Sequence, residues 1–177
     1  MWKKTEPPTL AMWARKVQEI QTMEDLTADL NIAPNGITSE SSNYVAIKDL
    51  ANRAIDGSTD LDWHNGSCTH TRGDLEPWWK LDMKRRYNVN IVVVSGRTDC
   101  CLERLKGAEI RIGDSPDNNN PVCGTILDVS GPTTTFCCNG MRGRYLSIVI
   151  PGRTEYLSLC DVKVYVDPTD PVTYLCW

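Results

Sequence analysis

Apolar residues change their spacing once along this chain. From Leu10 to Leu30 they recur as Leu10, Trp13, Val17, Ile20, Met23, Leu26 and Leu30, three or four residues apart. That is the period of an α-helix with one apolar stripe, and the prolines at 7 and 8 suit a helix entry. Two uses of the stripe stay open. It docks a helix on the following domain, or it forms a short coiled coil through residues 10–30 that joins copies into a homo-oligomer. After "APNG" at 33–36 the pattern turns extended. "NVNIVVVS" at 88–95 is β-branched, while "AEIRIG" at 108–113 and "YLSIVI" at 145–150 alternate. "YLSLCDVKVYV" at 156–166 sets Val162, Val164 and Val166 on one face and Asp161, Lys163 and Tyr165 on the other. "PWW" at 77–79 predicts a strand entry with at least one tryptophan in the core. Turn-rich breaks such as "DSPDNNNP" separate the runs, with no helical pattern between them. Short strands without crossover helices predict an all-β, antiparallel β-sandwich. The organisation expected is a helical extension over 1–30, a β-domain over 31–167 and a tail over 168–177.

Composition narrows the class. The chain of 177 residues can hold one domain with a full core plus an extension. No apolar run approaches the roughly 18 residues of a membrane helix, so no membrane insertion is expected. A net charge of −4 speaks against a nucleic-acid surface. The eight cysteines are Cys68, Cys100, Cys101, Cys123, Cys137, Cys138, Cys160 and Cys176. An even count predicts disulfides and a secreted, extracellular protein; zinc would want the Cys-x-x-Cys knuckles that are absent here. "NGS" at 65–67 is an N-glycosylation sequon, which fits secretion. "MWKKTEPPTL" has no apolar signal core, so the signal is expected to have been removed or to precede this start.

Candidate chemistry concentrates in "RTDCCLER" at 97–104. Arg97 and Arg104 each offer a planar fork of donors, and Asp99 stands where it could hold one fork in place. The same charges also read as a solvated salt-bridge patch. Cys100 and Cys101 bond either to separate partners or to each other. The second option closes an eight-membered ring that presents a flat apolar plate, able to pack on the less polar edge of a sugar. His70 is one of two histidines, and its ring can donate to or accept from a hydroxyl. Catalysis is not expected. A low-pKa thiolate at Cys100 lacks a paired base, and the redox Cys-x-x-Cys is missing. A second rival is a sandwich module that binds an anionic (sulfated or phosphorylated) ligand or a protein partner through the arginines.

His70, then 26 residues, then Arg97-Thr98-Asp99, then four residues and Arg104 resembles the F-type lectin signature of fucose-binding lectins. "ANRAIDG" at 51–57, "GSCTHT" at 66–71, "PWWKLDM" at 77–83 and "MRGRYLSIVIPGRTEYLSLC" at 141–160 agree with it. The resemblance runs from Asn31 to Val166 and implies a jelly-roll β-sandwich of discoidin-like type. It implies a non-catalytic lectin for terminal α-L-fucose on glycans, in a shallow loop pocket. By position, His70, Arg97 and Arg104 would bond the ring oxygen and hydroxyls, Asp99 would orient an arginine, and a Cys100–Cys101 disulfide would pack on the sugar. A structural Ca2+ is implied too, held by backbone oxygens of Arg53, Ser58 and Cys160, by the Asp56 and Asp161 side chains, and by Ser67. Asp161 stands where the family commonly has glutamate. The implied disulfides are Cys68–Cys160 and Cys123–Cys138, with Cys123–Cys137 as an alternative. Cys137 and Cys176 depart from the family's usual set and either pair with each other, pinning the tail, or link subunits. Trp63 and His64 are candidates for contact with a second sugar, Trp63 being equally suited to the core. Innate immunity by recognition of microbial glycans and self-recognition between cells both fit such a lectin.

Overall fold

The computed structural model describes residues 31–48 and 50–166. The helix expected within 1–30, the tail at 168–177 and the Cys137–Cys176 pairing fall on segments outside the described residues. Eight strands are present among the described residues: β1 (Ile37–Glu40), β2 (Asp74–Leu75), β3 (Trp78–Ser95), β4 (Glu109–Gly113), β5 (Val122–Thr125), β6 (Thr133–Val149), β7 (Thr154–Glu155) and β8 (Asp161–Val166). Every pairing among them is antiparallel. Short 3-10 turns at Ala33–Asn35, Leu50–Ile55, Trp63–Asn65 and Leu102–Leu105 supply the helical pieces.

One ribbon organises the sandwich. The first part of β3 pairs with β1 and with residues 145–149 of β6, and its second part pairs with β8 and residues 133–143 of β6. Asp82 faces Tyr145 while Tyr87 faces Gly143, so residues 83–86 bulge outward opposite Arg144. A bulge bends a strand and sharpens its twist, and here it folds the ribbon over its own core. Trp79 and Leu81 before the bulge and Val89, Val92 and Val94 after it enter one core cluster, joined by Ile110, Ile112, Leu146, Ile148, Val162 and Val164. Close approach at the bend requires Gly143, because a Cβ there would lie 2.5 Å from the Gly113 nitrogen. Both ends of β3 therefore arrive at the same pole, beside the loops that follow β7 and precede β4. At the domain's edge, Asn31 bridges to Tyr165, and the Ile32 nitrogen donates to the Val164 carbonyl at 3.0 Å.

The sandwich matches the predicted class, with differences in extent. β3 spans 18 residues, not only 88–95, and β6 begins at Thr133, well before the predicted 145. Of the run 156–166 only Asp161–Val166 is strand; Leu157, Ser158, Leu159 and Cys160 are buried but held by a loop partner instead. Val162 and Val164 are fully buried as expected. Trp79 is the core tryptophan of "PWW", its Nε1 donating to the Ala51 carbonyl at 2.8 Å, whereas Trp78 is half-buried beneath Lys80. Disulfides join Cys68 to Cys160, Cys100 to Cys101, and Cys123 to Cys138, which rules out the Cys123–Cys137 alternative. The Cys123–Cys138 bond spans 15 residues; closing a loop of that length contributes roughly 3 kcal/mol in the chain-entropy account.

Candidate functional site

The chain leaves β3 at Ser95 and turns through Gly96, where a Cβ would meet Leu105 Cδ1 at 2.5 Å and Leu102 Cδ1 at 2.6 Å. That tight seat brings Arg97 down against the domain with its side chain only 8% exposed. Asp99, 11% exposed, grips it: Arg97 Nε donates to Oδ1 at 2.9 Å and Nη2 donates to Oδ2. Oδ1 also accepts from the Trp63 backbone nitrogen at 3.2 Å. The bonds from Arg97 hold the Asp99 carboxyl down at about 2. The aspartate therefore orients the arginine, whose remaining donors are fixed before any ligand arrives.

Cys100 and Cys101 are bonded to each other, so the ring arrangement holds and the separate-partner reading does not. Cys101 takes the left-handed backbone conformation with φ +65, unusual outside glycine, and caps the turn Leu102–Leu105. That turn presents Arg104. Its guanidinium carbon sits 5.0 Å from the Tyr156 ring centroid, and its Nε lies 3.8 Å from Glu155 Oε1.

His70 arrives from the opposite wall. Its neighbours Thr69 and Thr71 are fully buried and pair with residues 157–159. The Thr69 and Thr71 nitrogens donate to the Leu159 and Leu157 carbonyls at 2.8 and 2.9 Å, and their hydroxyls accept from the Leu159 and Leu157 nitrogens at 3.0 and 2.9 Å. The Cys68–Cys160 disulfide staples the same two segments one step further on. His70 Nδ1 lies 2.7 Å from the Thr71 carbonyl oxygen. A carbonyl only accepts, so Nδ1 carries the proton and Nε2 is left as an acceptor. Burial lowers the pKa of His70, and the positive charges of Arg97 and Arg104 add to the effect, which keeps the ring neutral near pH 7.

These groups enclose an open groove of about 370 Å³, lined by His70, Arg97, Cys100, Cys101 and Arg104 together with Tyr44, Trp63, His64 and Tyr156. His70, Arg97 and Arg104, the three groups expected to bond a ligand, line it directly, and Asp99, expected to orient an arginine, stands behind Arg97. The tyrosines escaped the sequence reading. Tyr44 lies 4.5 Å from His70 between ring centroids and 6.3 Å from Tyr156, forming an aromatic wall. Trp63 belongs to this wall, 5.0 Å from His70, rather than to the core. His64, 77% exposed, stands at the rim. Acceptor, fixed donor forks, an apolar disulfide plate and aromatic faces make a site for a small polyhydroxylated ring with one less polar edge.

Of the residues expected around a cation, Asp56 and Asp161 lie near enough for their charges to interact. Asp161 opens β8 beside Cys160, and Ser67 precedes Cys68 across the disulfide. Arg53 Nη1 donates to the Cys68 carbonyl at 3.5 Å, and Asp56 Oδ1 accepts from the Ser58 nitrogen at 2.9 Å. The Asp161 carboxyl is pushed up, first by burial and partly by the nearby Asp56 charge, with Lys163 Nζ 3.4 Å away as its ion-pair partner. The Asp56 and Asp161 carboxylates, the Ser67 hydroxyl and the backbone oxygens of Arg53, Ser58 and Cys160 are hard oxygen donors of the kind that suits such a cation.

The sandwich and its loop groove define a galactose-binding-type domain, and the family described as "NedA-like, galactose-binding domain" matches residues 53–148. Fucolectin-6 of Anguilla japonica is 38% identical over 161 residues, which is 84% of this chain and 86% of the relative. The pentraxin fusion protein of Xenopus laevis is 44% identical over 144 residues, 79% of this chain. The crystal structure of an F-lectin (fucolectin) from striped bass (Morone saxatilis) serum is 46% identical with a TM-score of 0.71, over 79% of this chain. The chain belongs to the F-type lectin, or fucolectin, family. It spans about a third of the length of the frog protein (34%) and about half of the bass lectin (48%).

Proposed function

We propose that this protein is a lectin that binds terminal α-L-fucose on glycans, without catalysing a reaction. The observation that carries the reading is the convergence of His70 Nε2, Arg97 and Arg104 around the bonded Cys100–Cys101 pair in one groove. A deoxyhexose has hydroxyls on one side and a methyl group on the other. The arginine forks donate to adjacent hydroxyl oxygens, His70 accepts a hydroxyl proton, and the disulfide and aromatic wall cover the apolar edge. Kinship with fucolectins points to the same ligand.

Sugar hydroxyls exchange good water contacts for these bonds. Each bond nets about 0.5–1.5 kcal/mol, or ~1.5–3 kcal/mol to a charged donor. One site then binds in the micromolar-to-millimolar range, on the order of −4 to −8 kcal/mol. Linked sites raise this by ~10²–10⁴, a role suited to an oligomerising segment at residues 10–30. Ca2+ belongs to the reading as a structural ion held by Asp56, Asp161, Ser67 and the carbonyls of Arg53, Ser58 and Cys160, locking the loops that carry His70. The disulfides suit a secreted protein.

Titration with L-fucose, with D-glucose as the control, tests the assignment. Saturable fucose binding that survives 0.5 M salt supports it, and binding lost in salt without fucose competition overturns it in favour of an anionic ligand. Adding millimolar calcium after chelation is expected to raise the melting temperature; an unchanged melting curve would remove the ion from the account.

A further inference from the structure

The bulge that folds the β3–β6 ribbon carries charge as well as shape. Its residues Lys84, Arg85 and Arg86 are all exposed, and across the ribbon Arg142 and Arg144 are exposed as well. Tyr87 faces Gly143 and Asn88 faces Arg142 in register, so the two cationic rows lie side by side on neighbouring strands. Five of the 19 lysines and arginines of a chain with net charge −4 thus share one corner. From Tyr87 to Ser95 is eight residue steps, roughly 26 Å of strand, so this corner is the pole away from the groove.

Carboxylates here hold the cations in position without cancelling them. Asp82 accepts the Lys84 backbone nitrogen at 2.8 Å and both forks of Arg144, Nε at 2.8 Å and Nη2 at 2.9 Å. The first bond fixes Lys84 in the left-handed conformation, φ +66. Asp114 takes Arg86 Nε at 2.9 Å. The Arg144 bonds lower the Asp82 pKa, and the charge of Lys80, a sixth cation nearby, adds to the effect. Lys84, Arg85 and Arg142 appear in none of the ion pairs among the described residues. Five exposed cations against two carboxylates leave a fixed positive excess.

We propose that this corner is a second binding site, for a linear sulfated polysaccharide. Guanidinium forks match sulfate oxygens, and rows of cations on adjacent strands suit anionic groups repeated along an extended chain. A membrane surface fits less well. Arg85 lies over the Tyr87 ring at 4.7 Å and Arg144 over Tyr145 at 5.2 Å, so those aromatic faces are covered instead of free to insert. The strand residue paired with Asp82 is Ile37, a single exposed aliphatic side chain.

The test is calorimetric titration of the full chain with a heparin-derived octasaccharide at 0.05 and 0.15 M NaCl. The comparison variant is K84N/R85S/R142S, which removes the cations that lack a carboxylate; asparagine tolerates the backbone at 84. Expected are saturable binding by the parent protein, no competition by L-fucose, and affinity weakened at least about tenfold in the variant at an unchanged melting temperature. If the triple variant melts early, R85S/R142S is read in its place. No binding by the parent at 0.05 M salt, or equal binding by the variant, overturns the proposal. So does loss of binding in Arg97→Ala, which would place the octasaccharide in the groove. Binding to phosphatidylserine vesicles in preference to the octasaccharide would reassign the corner to a membrane and overturn it equally.

Discussion

Two carboxylates in this domain, one behind the groove and one at the β1 edge, live under opposite rules. Asp99 is gripped by Arg97 and by the Trp63 backbone, and its carboxyl stays ionised down to about 2. Glu40, opposite Trp79 at the end of β1, has both carboxylate oxygens buried without a hydrogen-bond partner. Burial, with help from the Asp74 charge, lifts its carboxyl to about 8. Asp74 is itself occupied by the hydroxyls of Ser41 and Ser42. The difference teaches what a partner does. Given a donor fork, a carboxylate becomes a rigid positioning element; denied one, it survives in the fold by keeping its proton.

The sharpest way to break the contrast is Arg97→Ala. It removes donors from the groove and leaves Asp99, at 11% exposure, without its counter-ion. Fucose affinity is expected to fall about a hundredfold, as two bonds to a charged donor at ~1.5 kcal/mol each imply, and the melting temperature should drop as well. Retained affinity in a titration would detach the pair from binding. Arg104→Ala should cost at least about tenfold in affinity at little cost in melting temperature, because Arg104 is one-third exposed and its Glu155 contact is 3.8 Å. A collapse of stability in that variant would show that the two arginines do not divide their roles as stated.

The smallest effect sharpens the other side. Unfolded Glu40 loses its proton near 4.5 while the folded state keeps it to about 8. In that window the folded state holds one proton more, so its contribution to stability falls as pH rises from about 4.5 to 8 and levels off above. Glu40→Gln cannot ionise, so its melting temperature should exceed the parent's increasingly across that window. Glu40 is only partly buried, so solvent screening leaves a fraction of that span. The gain should reach roughly 4 °C at pH 8, the size that ~1 kcal/mol gives in a domain of this length. Parallel curves for the two proteins would mean that Glu40 finds a counter-charge in solution.

Much of this was legible in the chain and some was not, for identifiable reasons. The spacing of His70, Arg97, Asp99 and Arg104 and the adjacency of Cys100 and Cys101 were legible because they are specific, and five of these six residues line one groove. Tyr44 and Tyr156 left no trace, since they sit in irregular loops and meet His70 only after folding. The bulge hid the true length of β3: Lys84, Arg85 and Arg86 break the alternation that marks a strand. Asn139 and Gly140, both at positive φ, interrupt the alternation within β6 and so hid its first half. Leu157 and Leu159 look like strand positions for the opposite reason: Thr69 and Thr71 pair with them from a loop, without a sheet.

The bridge between Asn31 and Tyr165 has a consequence beyond the domain itself. Entry and exit of the β-domain share one doorway, so the unit can be spliced into a longer polypeptide, or strung in tandem, without stretching its sheets. Such a plug-in module travels well between hosts, as its likeness to one stretch of a pentraxin fusion protein illustrates.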